Sequence, residues 1–147
     1  MKTDERNYVA FEFPSKDVNE AFASSAVKAF ILQQLGNVAI DEASDIRDSV
    51  REAVSNAIHH AYSGNSGKIL VHVSIFKGNI IEIKVQDWGC GIKDIEKARE
   101  PLITANETHH SGMGFIIMES FMDTVTVESQ KGKGTTVTMK RQIGKRK

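Results

Sequence analysis

Cysteine is nearly absent from this chain of 147 residues, which carries only Cys90. A single cysteine excludes an intrachain disulfide and a zinc site built from several cysteines, and it suits a reducing compartment. The N-terminus is polar and no apolar segment follows it, so we expect no signal peptide. No run approaches the roughly 20 apolar residues of a membrane span. We therefore expect a cytoplasmic protein without a membrane partner.

An excess of one charge is also missing, since 19 basic residues oppose 19 acidic ones. Such a chain has no global field that would attract nucleic acid, and the basic C-terminal residues 145–147 fit a solvated terminus. Hydrophobic residues make up 40% and charged residues 26%, which is ordinary for a globular domain. The length fits one domain over residues 1–147, with no direct nucleic-acid binding expected.

Only two prolines interrupt the chain, so the hydrophobic period can be followed over long segments. The pattern first predicts a strand over 8–13, a helix from a cap at Ser15 or Asp17 to Gly36 and a helix over 41–61. It then predicts a hairpin of strands 68–76 and 80–86, a helix over 113–122 and a hairpin of strands 125–128 and 135–140. Clustered hairpins, rather than alternating strand–helix units, indicate an α+β two-layer sandwich. The weakly patterned segment 89–112 is typical of a functional or mobile loop.

Glu52 and Asn56 are four residues apart on the second predicted helix, so they share one face. A carboxylate there could accept a proton from an attacking hydroxyl or water. An amide oxygen one turn away could bind Mg²⁺. The alternative is an ordinary polar helix face, which explains so short a pattern better when the pattern is taken alone.

Asp87 ends an apolar strand and is followed by Gly89 and Gly91. A buried carboxylate at that place could accept a hydrogen bond from an exocyclic amine such as that of adenine. The glycines would let the backbone turn and approach a ligand. A plain turn at the end of a strand is the alternative.

Gly112 and Gly114 precede the third predicted helix, where free N–H groups favour a phosphate. A hinge before a helix start would have the same appearance. The chain has no P-loop sequence, and no glycine stands where the dinucleotide fingerprint needs its third one. Together the three segments predict an ATP site.

Two histidine pairs, at 59–60 and 109–110, raise the alternative of a metal site. Adjacent histidines on a helix point about 100° apart and chelate poorly, so surface or supporting roles fit them better. Cys90 could be a reactive thiol, but no activating base is identifiable, and a small residue in a turn explains it.

These segments resemble the successive motifs of the GHKL ATPase/kinase superfamily. The motifs are Glu52…Asn56, Asp87-x-Gly89-x-Gly91, Gly112-x-Gly114 and Gly134-Thr135. Within the superfamily the chain is most similar to the anti-sigma serine kinases of spore-forming bacteria. That likeness runs from about residue 11 to residue 140, and residues 111–123 carry its most specific part.

The resemblance implies a Bergerat-type ATP-binding fold, in which helices cover one face of a mostly antiparallel mixed sheet. It also implies ATP and Mg²⁺ beneath a lid at about residues 93–111. The implied protein is a homodimeric serine/threonine kinase that holds a sporulation sigma factor away from RNA polymerase. It would phosphorylate a serine of an anti-anti-sigma partner.

By position, the resemblance makes Glu52 the general base, Asn56 the Mg²⁺ ligand, Asp87 the adenine acceptor and Thr135 its support. The remaining nucleotide contacts would be Gly89, Gly91, Ile92, Gly112, Met113, Gly114 and Phe115.

Two positions depart from the family pattern. His110 stands where a lid arginine is usual, and Ser24 stands where an arginine is associated with partner binding. An imidazole is a poorer phosphate partner than a forked guanidinium. These departures keep two alternatives open, namely a nucleotide-gated sigma-binding module with little kinase activity and a general-stress anti-sigma kinase.

Overall fold

The computed structural model describes residues 4–36, 40–62, 66–91 and 113–144. These residues form five strands, three α-helices and one π-helical segment. In chain order they are β1 (Glu5–Pro14), α1 (Val18–Leu35), α2 (Ile40–Asn56), the π-helical segment (Ala57–Ala61), β2 (Lys68–Phe76), β3 (Ile80–Asp87), α3 (Met113–Phe121), β4 (Thr124–Gln130) and β5 (Gly134–Gln142). No helix in this part of the chain is long and apolar enough to cross a membrane.

The five strands make one sheet in the order β1-β2-β3-β5-β4, and each neighbouring pair is antiparallel. The predicted mixed sheet therefore shows no parallel pair among the described strands. Local turn chemistry explains the β2–β3 pairing, because Gly78 (φ 86°) and Asn79 (φ 60°) both adopt the left-handed backbone that a tight hairpin turn needs.

The core lies between one face of this sheet and the helices. Alternate residues of β2 and β3 are buried, in keeping with the two-residue period of a strand. Together with the apolar sides of α1 and α2 they form one cluster that includes Val27, Ile31, Ile46, Val50, Val71, Val73, Ile81 and Ile83. The predicted α+β two-layer sandwich is confirmed.

Two predicted helix boundaries lie where they were expected, but their local structure differs from the prediction. Asp17 is the N-cap residue of α1, but its side chain makes no capping hydrogen bond. Ser15 instead accepts a hydrogen bond from the N–H of Gly67 at 2.9 Å, because β1 ends beside the start of β2. The second helix is α-helical only as far as Asn56 and continues as the π-helical segment. A π turn inside a helix often marks a functional site.

Candidate nucleotide site

Glu52 and Asn56 lie on the last turns of α2, directly beneath the start of α3. A methyl group placed on Gly114 would lie 3.3 Å from Glu52 Oε1 and 3.3 Å from Asn56 Nδ2. Any side chain at this position would therefore press on both groups. The structure thus brings the predicted base, the predicted metal ligand and the second glycine of the Gly112-x-Gly114 motif close together.

The Glu52 carboxylate is half-buried, and burial is the main reason why its pKa is raised. The negative charges of Glu20 and Asp48 raise the pKa further, while Arg51 lowers it. Arg51 is itself paired with Glu20 at 3.0 Å, so its charge is shared. Within the described ranges, no hydrogen bond to Glu52 is formed. A carboxylate with these properties is suited to accept a proton.

Asp87 ends β3 and is only 7% exposed. Its Oδ1 accepts hydrogen bonds from the N–H groups of Gly89 at 3.0 Å and Thr135 at 3.3 Å. Burial raises the Asp87 pKa, and the two backbone donors partly offset that rise. Both hydrogen bonds go to Oδ1, which leaves Oδ2 without a hydrogen bond from the described residues. Oδ2 is thus the atom that could accept from a ligand amine.

The turn after Asp87 packs against the end of the π-helical segment. A methyl group on Gly89 would lie 2.0 Å from the carbonyl oxygen of Ala61, so only glycine fits there. Gly91 has a φ of 79°, which favours glycine for a second reason. These contacts join the strand that carries Asp87 to the helix that carries Asn56.

Thr135 lies directly opposite Asp87 in the β3–β5 register and is 8% exposed. Its hydroxyl is 2.8 Å from that of Ser129, its partner in the β4–β5 register. Sequence reasoning missed Ser129, although the predicted hairpin register could have paired it with Thr135.

Other predicted residues occupy different surroundings. Phe115 is 5% exposed and belongs to the core cluster, and Met113 begins α3. Ser24 is 2% exposed, and its hydroxyl donates to the carbonyl oxygens of Glu20 at 3.1 Å and Ala21 at 3.2 Å. Ile92, His110, Gly112 and the lid at 93–111 lie outside the described residues.

The donor atoms present fit a hard cation better than zinc. Across the described ranges, no group of three histidine, cysteine, aspartate or glutamate residues could hold a metal ion. His59 Nε2 lies 3.6 Å from Asp17 Oδ1, and Cys90 Sγ lies 3.3 Å from the carbonyl oxygen of His60. Asn56 and Glu52, in contrast, offer oxygen atoms beside the start of α3. Oxygen ligands combined with phosphate and water are what Mg²⁺ prefers.

Comparison with known proteins places this geometry in a family. The histidine kinase-like ATPase domain matches residues 13–141. The chain is 44% identical over 143 residues to the anti-sigma F factor of Geobacillus kaustophilus, covering 97% of each protein. It is 48% identical over 139 residues to the anti-sigma F factor of Clostridium botulinum, covering 93% of this chain and 95% of that one. The chain belongs to the anti-sigma F factor family of histidine kinase-like ATPases.

Solved structures share the fold of this anti-sigma F factor family member. The histidine kinase domain of a blue-light activated kinase from Erythrobacter litoralis has a TM-score of 0.57 at 20% identity, covering 84% of this chain and 61% of that one. The RsbU and RsbW domains of a Mycobacterium tuberculosis protein have a TM-score of 0.58 at 19% identity, covering 94% of this chain and 33% of theirs. These structures confirm the predicted fold, and the family match and the relatives described above confirm the predicted superfamily.

Proposed function

We propose that this chain is an ATP-dependent protein serine kinase that also sequesters a sigma factor. The observation that carries the proposal is the seating of Gly114 over Glu52 and Asn56. The proximity of a half-buried carboxylate, an amide side chain and a helix N-terminus supports the proposal. The buried Asp87 stands at the end of a strand that the turn at Gly89 ties to the same helical segment.

In this proposal adenine donates its exocyclic amine to Asp87, beside Thr135 and the glycine turn. The remaining pocket contacts are Gly89, Gly91, Ile92, Gly112, Met113, Gly114 and Phe115. The triphosphate then reaches the N-terminus of α3, where N–H groups and the helix dipole favour anions. The lid at 93–111 would cover it within the single domain, with His110 as a phosphate contact.

Asn56 would hold Mg²⁺ there, together with phosphate oxygens and water. The bound ion supplies neutralisation of the phosphate charge. Glu52 accepts the proton of a serine hydroxyl on the substrate protein. The serine oxygen bonds to the γ-phosphorus as the bond from that phosphorus to the bridging oxygen breaks, and ADP leaves. Positioning and charge neutralisation supply most of the catalysis in such transfers.

The proposed partner is a sigma factor, because the relatives described above are named anti-sigma F factors. We propose that this is a sporulation sigma factor, that the phosphorylated serine belongs to an anti-anti-sigma factor, and that the chain works in the cytoplasm as a homodimer. Ser24 marks the predicted partner-binding stretch of α1. Its own hydroxyl is buried, so exposed neighbours such as Phe22, 57% exposed, would make the contact.

The test combines the purified chain, γ-labelled ATP with Mg²⁺, and the candidate sigma and anti-anti-sigma factors of the same organism. Label on a serine of the anti-anti-sigma factor, with sigma retained by the chain, supports the proposal. Sigma binding that depends on the nucleotide without serine phosphate would favour the nucleotide-gated module instead. Absence of ATP binding would overturn both.

A further inference from the structure

Tyr62 joins three segments around the proposed nucleotide site. It follows the π-helical segment, and its hydroxyl donates to the carbonyl oxygen of Lys68 at 2.5 Å. The same hydroxyl accepts a hydrogen bond from the N–H of Trp88 at 2.8 Å. One side chain thus connects the end of a helix, the first residue of β2 and the turn that follows β3.

The adjacent backbone continues this connection along the turn. The carbonyl oxygen of Ala61 accepts from the N–H of Cys90 at 2.7 Å. Between the two outer bonds, the N–H of Gly89 donates to Asp87 Oδ1 at 3.0 Å. Three successive N–H groups of the turn are therefore held, the outer two by residues 61 and 62. The middle bond fixes which oxygen of Asp87 is left for a ligand.

We infer that Tyr62 is a positioning residue for adenine recognition, because its hydroxyl binds the N–H of Trp88 and so fixes the start of the turn whose next N–H, that of Gly89, orients the Asp87 carboxylate. The inference rests on the proposed ATP binding and extends it to a residue that does not touch the reacting atoms. A hydroxyl that uses both its donor and its acceptor on backbone groups leaves those groups unpaired when it is removed.

Gly67 provides the surface on which the Tyr62 ring lies. A methyl group on Gly67 would come within 2.2 Å of two ring carbons of Tyr62. Gly67 is itself held by Ser15, donating to the Ser15 hydroxyl at 2.9 Å and accepting from the Ser15 N–H at 2.8 Å. The ring therefore cannot stay in place if residue 67 carries a side chain. Gly67→Ala is thus a second way to disturb the turn, with the hydroxyl still present.

The experiment uses the full chain and the variant Tyr62→Phe. The matched control is Tyr8→Phe, which removes the hydroxyl of the only other tyrosine, 51% exposed on β1. Calorimetry would measure Kd for ATP and for purine riboside triphosphate, which lacks the exocyclic amine. Phosphoryl transfer would give kcat and KM.

For Tyr62→Phe we expect Kd for ATP to rise about tenfold. Binding of the purine analogue should change far less, so the preference for ATP falls. KM for ATP should rise while kcat at saturating ATP moves little, since Glu52 and Asn56 are not displaced. Tyr8→Phe should match the wild-type chain in every measurement.

An unchanged preference for ATP over the analogue in Tyr62→Phe would overturn the inference, and so would an equal loss for both nucleotides. If Tyr62→Phe does not fold, Gly67→Ala takes its place. The preference for ATP over the analogue should fall in the same way, and an unchanged preference or an equal loss for both nucleotides would again overturn the inference. The wild-type chain is measured first. If it binds no ATP, the proposed function itself fails and the inference falls with it, whereas normal wild-type binding leaves only the role of Tyr62 under test.

Discussion

Asp87 and Glu52 are the two carboxylates of the proposed site, Asp87 at its proposed adenine end and Glu52 at its proposed phosphate end. In both, the pKa is raised chiefly by burial. The secondary influences on the two pKa values act in opposite directions. Backbone donors from Gly89 and Thr135 lower the pKa of Asp87, whereas the charges of Glu20 and Asp48 raise that of Glu52. One carboxylate is fixed by its hydrogen bonds, and the other has none from the described residues.

In the proposed function, this difference separates recognition of adenine by Asp87 from proton transfer at Glu52. A carboxylate held by two N–H groups keeps one orientation and presents one oxygen, which suits discrimination of a base. A half-buried carboxylate with like charges nearby holds a proton more readily than usual, which suits an acceptor during transfer. The three predictions that follow test this division, from the largest expected effect to the smallest.

Glu52→Gln should abolish most phosphoryl transfer while leaving ATP binding intact. Loss of a general base lowers the rate by about 10²- to 10⁴-fold. We expect Kd for ATP to stay within about twofold, since adenine contacts lie at the other end. Single-turnover transfer and calorimetry measure the two effects. Glu119→Gln, an exposed glutamate on the same α3 helix as Gly114, is the control and should behave as wild type. A Glu52→Gln chain that transfers phosphate at the wild-type rate would remove Glu52 from this role.

Asp87→Asn should weaken ATP binding, lowering the affinity about 100-fold. Because the amide can present an N–H donor to the adenine amine, which is itself a donor, the hydrogen bond between them is lost. The nucleotide-free variant should be at least as stable as wild type at neutral pH. Its Oδ1 can still accept from Gly89 and Thr135, and the cost of burying a charge is gone. Calorimetry and urea unfolding measure these, with the exposed Asp4→Asn as control. Near-normal ATP affinity would exclude Asp87 as the adenine acceptor.

A smaller effect should appear in pH dependence. Glu52 must be ionised to accept a proton, so transfer should fall on acidification at a higher pH than an ordinary glutamate would give. Acidification should have the opposite effect on stability, since it raises the free energy of unfolding while it lowers the rate of transfer. A raised folded-state pKa contributes stability that is present below the unfolded pKa and is lost as pH rises through the folded one. The wild-type free energy of unfolding should therefore drop relative to Glu52→Gln across that window. A constant difference between the two urea-unfolding curves would contradict the raised pKa.

Local pattern was enough to predict most elements of this fold. Alternating apolar residues predicted both bounds of β2, and they predicted β3 to within one residue, Asp87. The turn at residues 77–79 predicted the pairing of the two strands. Helical spacing also placed Glu52 and Asn56 on one face. These features depend on residues close in sequence, where backbone preference and side-chain period decide the structure.

Contacts between distant segments could not be predicted in this way. Nothing in the sequence near Ser15 indicates that the N–H of Gly67 would donate to its hydroxyl. Likewise, nothing near Tyr62 indicates that its hydroxyl would form hydrogen bonds with the backbone of Lys68 and Trp88. The change to a π turn after Asn56 is likewise not encoded in a simple period. Such features arise when packing brings elements together, and tertiary contacts then override local preference.

The solitary thiol of Cys90 has a practical value of its own. It is exposed and lies in the turn that leads away from Asp87, and the chain carries no other cysteine. A thiol-reactive fluorophore would therefore attach at one position per chain, three residues after the proposed adenine acceptor Asp87. Its emission would report the arrival and release of nucleotide in real time, without engineered labelling sites.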